Sequence, residues 1–187
     1  AYRERVTRIK DAIELKKPDR VPVFPVIGFF PAFYAGMTAQ DVMYDYEKLI
    51  SAYKKYTLDF EPDAHGGAFN PSPGRIFEIL DYQLYIWPGH GVSPNHSYQC
   101  LEEEYMRADE YDDLIRDPSN YFMSTYLPRV FKALEPLQKI PPLTGILEMY
   151  SAFSAVNFIP FGMPDVQEAL QALMEAGNEA VKWIGYV

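Results

Sequence analysis

The stretch "RVPVFPVIGFF", residues 20–30, constrains this chain more than any other. It follows a charged phrase that closes on Lys16-Lys17-Pro18, and it is apolar almost without interruption from Val21 onward. A strand with one wet face alternates apolar and polar residues. This run does not alternate, and strands covered on both faces read this way, most often in parallel sheets packed under helices. An inner strand near residues 21–28 of an α/β fold is the expectation.

The rest of the chain is consistent with that class. Val6, Ile9 and Ile13 form one stripe of a first helix, Lys16 and Lys17 suit its C-terminal end, and Pro18 stops it. Thr38-Ala39-Gln40-Asp41 has the pattern of a capping box, and Val42, Tyr46, Leu49, Ile50 and Tyr53 follow at helical spacing. Asp45 predicts a restart, giving two short helices or one kinked one. "TLDFEPDAHGG" at 57–67 reads as a second strand entering a glycine loop, and "LTGILEMYSAF" after Pro141-Pro142 as a third. Residues 83–103 alternate around Pro/Gly turns and predict a β-hairpin. Asp109 and Asp117-Pro118 open two helices, the second carrying Tyr121, Phe122, Tyr126, Val130 and Leu134. Pro164 opens a long one with the stripe Val166, Leu170, Leu173, Met174, Val181 and Ile184. Strands near 21–28, 57–63 and 143–150 are too few to close an eight-stranded barrel of about 250 residues. The expectation is a small open sheet or part of a longer protein, and the abrupt end at Val187 favours the second.

Composition excludes several functions. A formal charge of −9 over 187 residues opposes nucleic-acid binding, which needs a basic field. No apolar run approaches the roughly 18 residues of a membrane span. Cys100 is the one cysteine, so no internal disulfide is expected. With neither a signal nor a transit pattern at the N-terminus, a cytoplasmic setting is expected. No Gly-x-Gly-x-x-Gly, Walker or Gly-x-Ser-x-Gly motif occurs.

Glu61 and Asp63 are the first candidate site residues, because α/β folds place ligands beyond the C-terminal ends of their strands. A carboxylate there can act as a general acid or base, or orient an N–H group; it can equally be a solvated loop end or a helix cap. His65, in the same loop, can shuttle a proton or simply hold the loop. His90, His96 and Cys100 form a second candidate cluster, although their spacing matches no established zinc signature. Arg3, Arg5, Arg8 and Lys10 lie on one helix expected to be exposed. Of the aromatics, Phe24 suits a core. Phe29, Phe30, Phe33 and Tyr34, together with Tyr150, Phe153, Phe158 and Phe161, include residues that could line an apolar ligand cavity.

Four phrases, "KKPDRVPVFP", "AGMTAQDVMYDYEKLISAYKKYTLDFEPD", "EEEYMRADEYDDLIRDPSNYF" and "FGMPDVQEALQALMEAG", together resemble the uroporphyrinogen decarboxylase superfamily, and within it the uncharacterised and methyltransferase-like branch. They occur in family order and cover the N-terminal half of such a protein. The resemblance implies a TIM (β/α)₈ barrel, of which residues 1–187 would be the N-terminal part with a hairpin insertion near 83–103. Its cleft would lie at the C-terminal strand ends. Uroporphyrinogen decarboxylases use arginines for substrate carboxylates and an aspartate for the pyrrole nitrogens. Their first strand ends in Arg-Gln-Ala-Gly-Arg-Tyr, where this chain has Gly28-Phe29-Phe30-Pro31-Ala32-Phe33-Tyr34, and Glu61-Pro62-Asp63 replaces Phe-Ser-Asp. The methyl-transferring relatives move a methyl group between a corrinoid protein and a thiol, with zinc held by residues of the second half of the barrel, so the resemblance implies no metal ligand in this chain. It implies Asp63 as the catalytic residue and Phe29, Phe30, Tyr34, Glu61, His65 and Tyr150 around the ligand. A tetrapyrrole or other small molecule, a corrinoid protein and a second copy of the chain are the expected partners. A catalytically silent partial barrel that acts by association is the third reading.

Overall fold

The computed structural model describes residues 1–141 and 155–187. They form two units: Ala1–Ser72 with Pro94–Ser97 and Trp183–Val187, and Pro73–Ser93 with Tyr98–Lys182.

In the first unit, helix α1 (Tyr2–Ile13) ends before the lysines, because Leu15 takes a left-handed φ of 58°. Its apolar stripe does not turn inward. Val6 and Ile13 are exposed, and the buried residue is Arg8. Residues 21–27 have no regular secondary structure, and Gly28, at φ 48°, turns the chain into α2 (Phe30–Tyr34). Helix α3 (Ala39–Tyr44) starts at the expected capping box: Thr38 Oγ1 accepts from the Asp41 N–H at 2.9 Å, and Asp41 Oδ2 accepts from the Thr38 N–H at 2.9 Å. Asp45 ends α3 and restarts the chain as α4 (Tyr46–Phe60), its carboxylate accepting from the Lys48 N–H at 3.0 Å. Tyr46, Leu49, Ala52, Tyr53 and Tyr56 recur three and four apart and are buried, with Val42 and Met43 of α3. Full burial of a side chain such as Leu49 contributes about 1.5–3 kcal/mol.

The second unit contains α5 (Gly74–Leu80) and three short strands, β1 (Tyr85–Pro88), β2 (Gly91–Val92) and β3 (Gln99–Cys100). Their order is β2-β1-β3. Tyr85 lies opposite Cys100 and Ile86 opposite Gln99 in the antiparallel pair, so the predicted hairpin has a short real ladder; β1 and β2 pair in parallel. A 3₁₀ turn at Ala108–Glu110 leads to α6 (Tyr111–Arg116). Asp117 caps α7 (Pro118–Tyr121), accepting from the Asn120 N–H at 3.0 Å. The helix then widens into a π turn at Phe122–Tyr126 before α8 (Leu127–Val130). Pro128 explains the widening: it has no N–H for the carbonyl of Ser124, and its ring crowds that group. A 3₁₀ segment, Lys132–Lys139, follows, and beyond it lies α9 (Pro164–Ile184). Leu80, Leu134, Leu137, Val166, Ala169 and Ala176 make this unit's core. Of the predicted α9 stripe, Val166 is buried and Leu170 and Leu173 partly so; Met174, Val181 and Ile184 are exposed.

The barrel expectation is overturned. The described residues are mainly helical, and their named strands form one small open mixed sheet with no sign of an eight-stranded barrel. Residues 21–27 form no strand: Pro22 and Pro25 have no N–H to donate, and Val21, Phe24 and Val26, expected to be covered, are exposed. Residues 57–60, expected in a strand, are the last turn of α4. The third expected strand, 143–150, lies outside the described residues.

Candidate functional site

Asp63 follows α4 by three residues, and its side chain has no solvent exposure. Arg20 grips both carboxylate oxygens, each at 2.8 Å, and Arg8 of α1 bonds Oδ1. The Val23 N–H donates to Oδ2 at 2.8 Å, while the Asp63 N–H donates back to the Val23 carbonyl at 2.9 Å. Arg8 extends the clasp through a two-pronged pair with Asp19, at 2.6 and 2.7 Å. Burial pushes the Asp63 carboxyl up, but the Val23 N–H and the two guanidinium groups outweigh it and hold the group below its usual range. Asp19 lies at about 2, mainly through Arg8. Asp63 is therefore an ionised, fully occupied structural group. It has no lone pair facing solvent with which to take a proton or anchor a ligand.

Two residues on, His65 is held as well. Gly67 donates its N–H to Nδ1 at 3.1 Å, which leaves the ring proton on Nε2, 3.2 Å from Thr57 Oγ1. Thr57 in turn donates to the Tyr53 carbonyl at 2.8 Å, so all three positions agree. Gly67 is required for a local reason: at φ 77°, an added Cβ would stand 2.9 Å from the Phe69 ring. Glu61 is the left-handed cap of α4, exposed and 3.9 Å from Arg5.

The aromatics build an exposed surface in the same unit. Phe30 stacks on Tyr34 at 5.9 Å, and meets Tyr56 and Phe60 edge-on at 5.9 and 5.7 Å. Tyr34 meets Phe60 edge-on at 5.0 Å, and Phe60 stacks on Tyr56 at 5.2 Å. Tyr56 is buried beneath this shelf, while Phe30, Tyr34 and Phe60 remain 45%, 40% and 50% exposed. One edge of the shelf is polar. Tyr34 donates its hydroxyl to Asp59 Oδ2 at 3.0 Å, Lys55 Nζ donates to the same oxygen at 2.6 Å, and Nζ lies 4.6 Å from the Tyr34 ring centre. Lys55, and then Tyr34, hold the Asp59 carboxyl below its usual range.

The structure thus brings Phe30 and Tyr34 together as expected. It buries Phe29, which turns toward Phe33 at 6.5 Å, and separates Asp63 from the role of ligand anchor. Tyr150 lies outside the described residues. Asp59 and Phe60 were missed because residues 57–67 read as a strand, and Arg8 because a helical arginine reads as solvated. His90, His96 and Cys100 do not form a zinc site. His90 sits 3.0 Å from Glu78 and stacks on Trp87, and the Cys100 thiol turns to the Leu101 carbonyl. Among the described residues no group of three His, Cys, Asp or Glu could hold a metal ion.

In the second unit Glu110 is the buried counterpart of Asp63. Arg129 takes its two oxygens at 2.6 and 2.9 Å, the Arg107 N–H donates at 2.8 Å and the Tyr121 hydroxyl at 3.0 Å. Arg129 chiefly, and then Arg107, hold its carboxyl far below the usual range. It too is occupied. No described helix is long and apolar enough to cross a membrane. No family model, no curated protein and no solved structure matches the chain.

Proposed function

We propose that this chain serves corrinoid-linked methyl transfer to a thiol or related acceptor, in a cytoplasmic protein related to the methyltransferase-like branch of the uroporphyrinogen decarboxylase superfamily. In this reading its first unit supplies the docking face for a planar macrocycle, presented free or on a corrinoid protein. One observation carries the reading: where decarboxylases place arginines, residues 28–34 supply the exposed rings of Phe30 and Tyr34, joined by Phe60. A flat ring gains by covering aromatic area. An octa-anionic porphyrinogen needs several free guanidinium groups, whereas Arg8 and Arg20 are occupied by Asp19 and Asp63. The described residues bind and orient; with Asp63 and His65 held, no general acid or base is assigned to them.

Titration of the chain with methylcobalamin, free and on a corrinoid protein, and with uroporphyrinogen tests this. Saturable binding of the corrin is the expected result. Decarboxylated products at an ordinary enzymatic rate would overturn it. Association with a second copy is the other reading, favoured by the exposure of Val21, Phe24 and Val26 on the apolar run. It predicts a dimer by light scattering and no binding of either ligand.

A further inference from the structure

The polar edge of the shelf carries more information than its charge. Lys55 Nζ spends one donor on Asp59 Oδ2, and Asp59 Oδ1 accepts no hydrogen bond among the described residues. Nζ also faces the Tyr34 ring, so at least one ammonium donor and one carboxylate acceptor remain open at this edge. All three groups of this edge are accessible, with Lys55 49% and Asp59 39% exposed at the side chain. The pair is fixed relative to the shelf, because the Tyr34 ring that forms the surface also anchors Asp59 through its hydroxyl.

We infer that Lys55 and Asp59 select the peripheral groups of the macrocycle, and that Asp59 is the residue that sets the preference for carboxamide over carboxylate. A primary carboxamide offers one acceptor and one donor from neighbouring atoms, which Lys55 and Asp59 Oδ1 match together. A carboxylate offers only acceptors. It would meet the Lys55 cation already neutralised, and would face the Asp59 charge at the same distance. Corrins carry carboxamide arms and uroporphyrinogen carries carboxylate arms, so this edge discriminates between the two ligand classes by charge before ring shape enters. The inference rests on the reading of the shelf as a macrocycle docking face.

The test uses one corrin ring in two forms, the natural carboxamide and its hydrolysed carboxylate, titrated against the 187-residue chain. The wild-type chain should prefer the carboxamide. Asp59→Asn keeps the size of the side chain and removes its charge, releasing Lys55; the preference should shrink by about tenfold, mostly through tighter carboxylate binding. Lys55→Gln should shift the preference the other way, since a carboxylate then faces Asp59 with no cation beside it. A merely structural pair would lower both affinities together and leave their ratio alone. An unmoved ratio in both variants, with binding retained, overturns this inference and leaves the docking reading standing. If the wild-type chain binds neither form, both fall.

Discussion

At the scale of single residues, Asp63 is the instructive case. Its place at the C-terminal end of an expected strand made it a candidate for chemistry, and it does hold together distant parts of its unit. Its partners, though, lie 55 and 43 residues away, on α1 and just before the apolar run. No local pattern announces such a pairing, and a helical arginine among charged neighbours reads as solvated. Asp63→Asn would turn one acceptor oxygen into a donor facing two guanidinium groups and an N–H. Removing one partner of a buried pair strands the others, so the thermal midpoint should fall by more than about 5 °C. Affinity for a corrin should stay within about twofold, because Asp63 does not reach the shelf surface. Differential scanning fluorimetry beside the titration reads both quantities. A weakened affinity at an unchanged midpoint would restore Asp63 as a ligand anchor.

At the scale of elements, the capping chemistry was legible and the strands were not. Thr38-x-x-Asp41 and Asp45 name their helix starts directly, because a cap is a contact within four residues. Thr38→Ala removes an acceptor for the Asp41 N–H and should cost about 1 kcal/mol, a fall of roughly 2–4 °C in midpoint for a chain of this size. A cost below about 0.3 kcal/mol by chemical denaturation would show the box to be idle. "TLDF" at 57–60 has strand-forming residues, yet Tyr46, Leu49, Tyr53, Tyr56 and Phe60 continue one helical stripe, and that longer period won. Residues 21–27 meet the other limit of sequence reasoning. An unbroken apolar run suggests a covered strand, but strand pairing needs N–H donors, and Pro22 and Pro25 have none.

At the scale of the whole molecule, the charge balance predicts an acid-sensitive fold. Asp19 and Asp41 titrate at about 2 in place of 3.8, through Arg8 and through Lys48 respectively, and Asp63 and Glu110 are lowered as well. A depressed carboxyl stabilises the fold above its unfolded pKa and loses that contribution as pH falls through its folded one. The midpoint should therefore be flat above about pH 5 and drop between about 4 and 2, the window set by Asp19 and Asp41. Thermal unfolding across that range checks it, and a midpoint that holds or rises on acidification would contradict the two clasps. The exposed Asp19 side chain contributes less than its shift suggests, since solvent screens it; Asp63 and Glu110, both buried, carry more.

The central claim is that the first unit's working surface is the aromatic shelf. Phe60 tests it most directly, being half exposed, in ring contact with Phe30, Tyr34 and Tyr56, and on the last turn of a well-capped helix. The measurement is the dissociation constant of a carboxamide corrin for the wild-type chain and for Phe60→Ala, followed by absorbance. Loss of one stacking ring is worth about 0.5–1.5 kcal/mol, so the account predicts affinity weakened by roughly two- to tenfold with the thermal midpoint nearly unchanged. Equal affinity in the two proteins would contradict it, and would move the docking face away from the shelf.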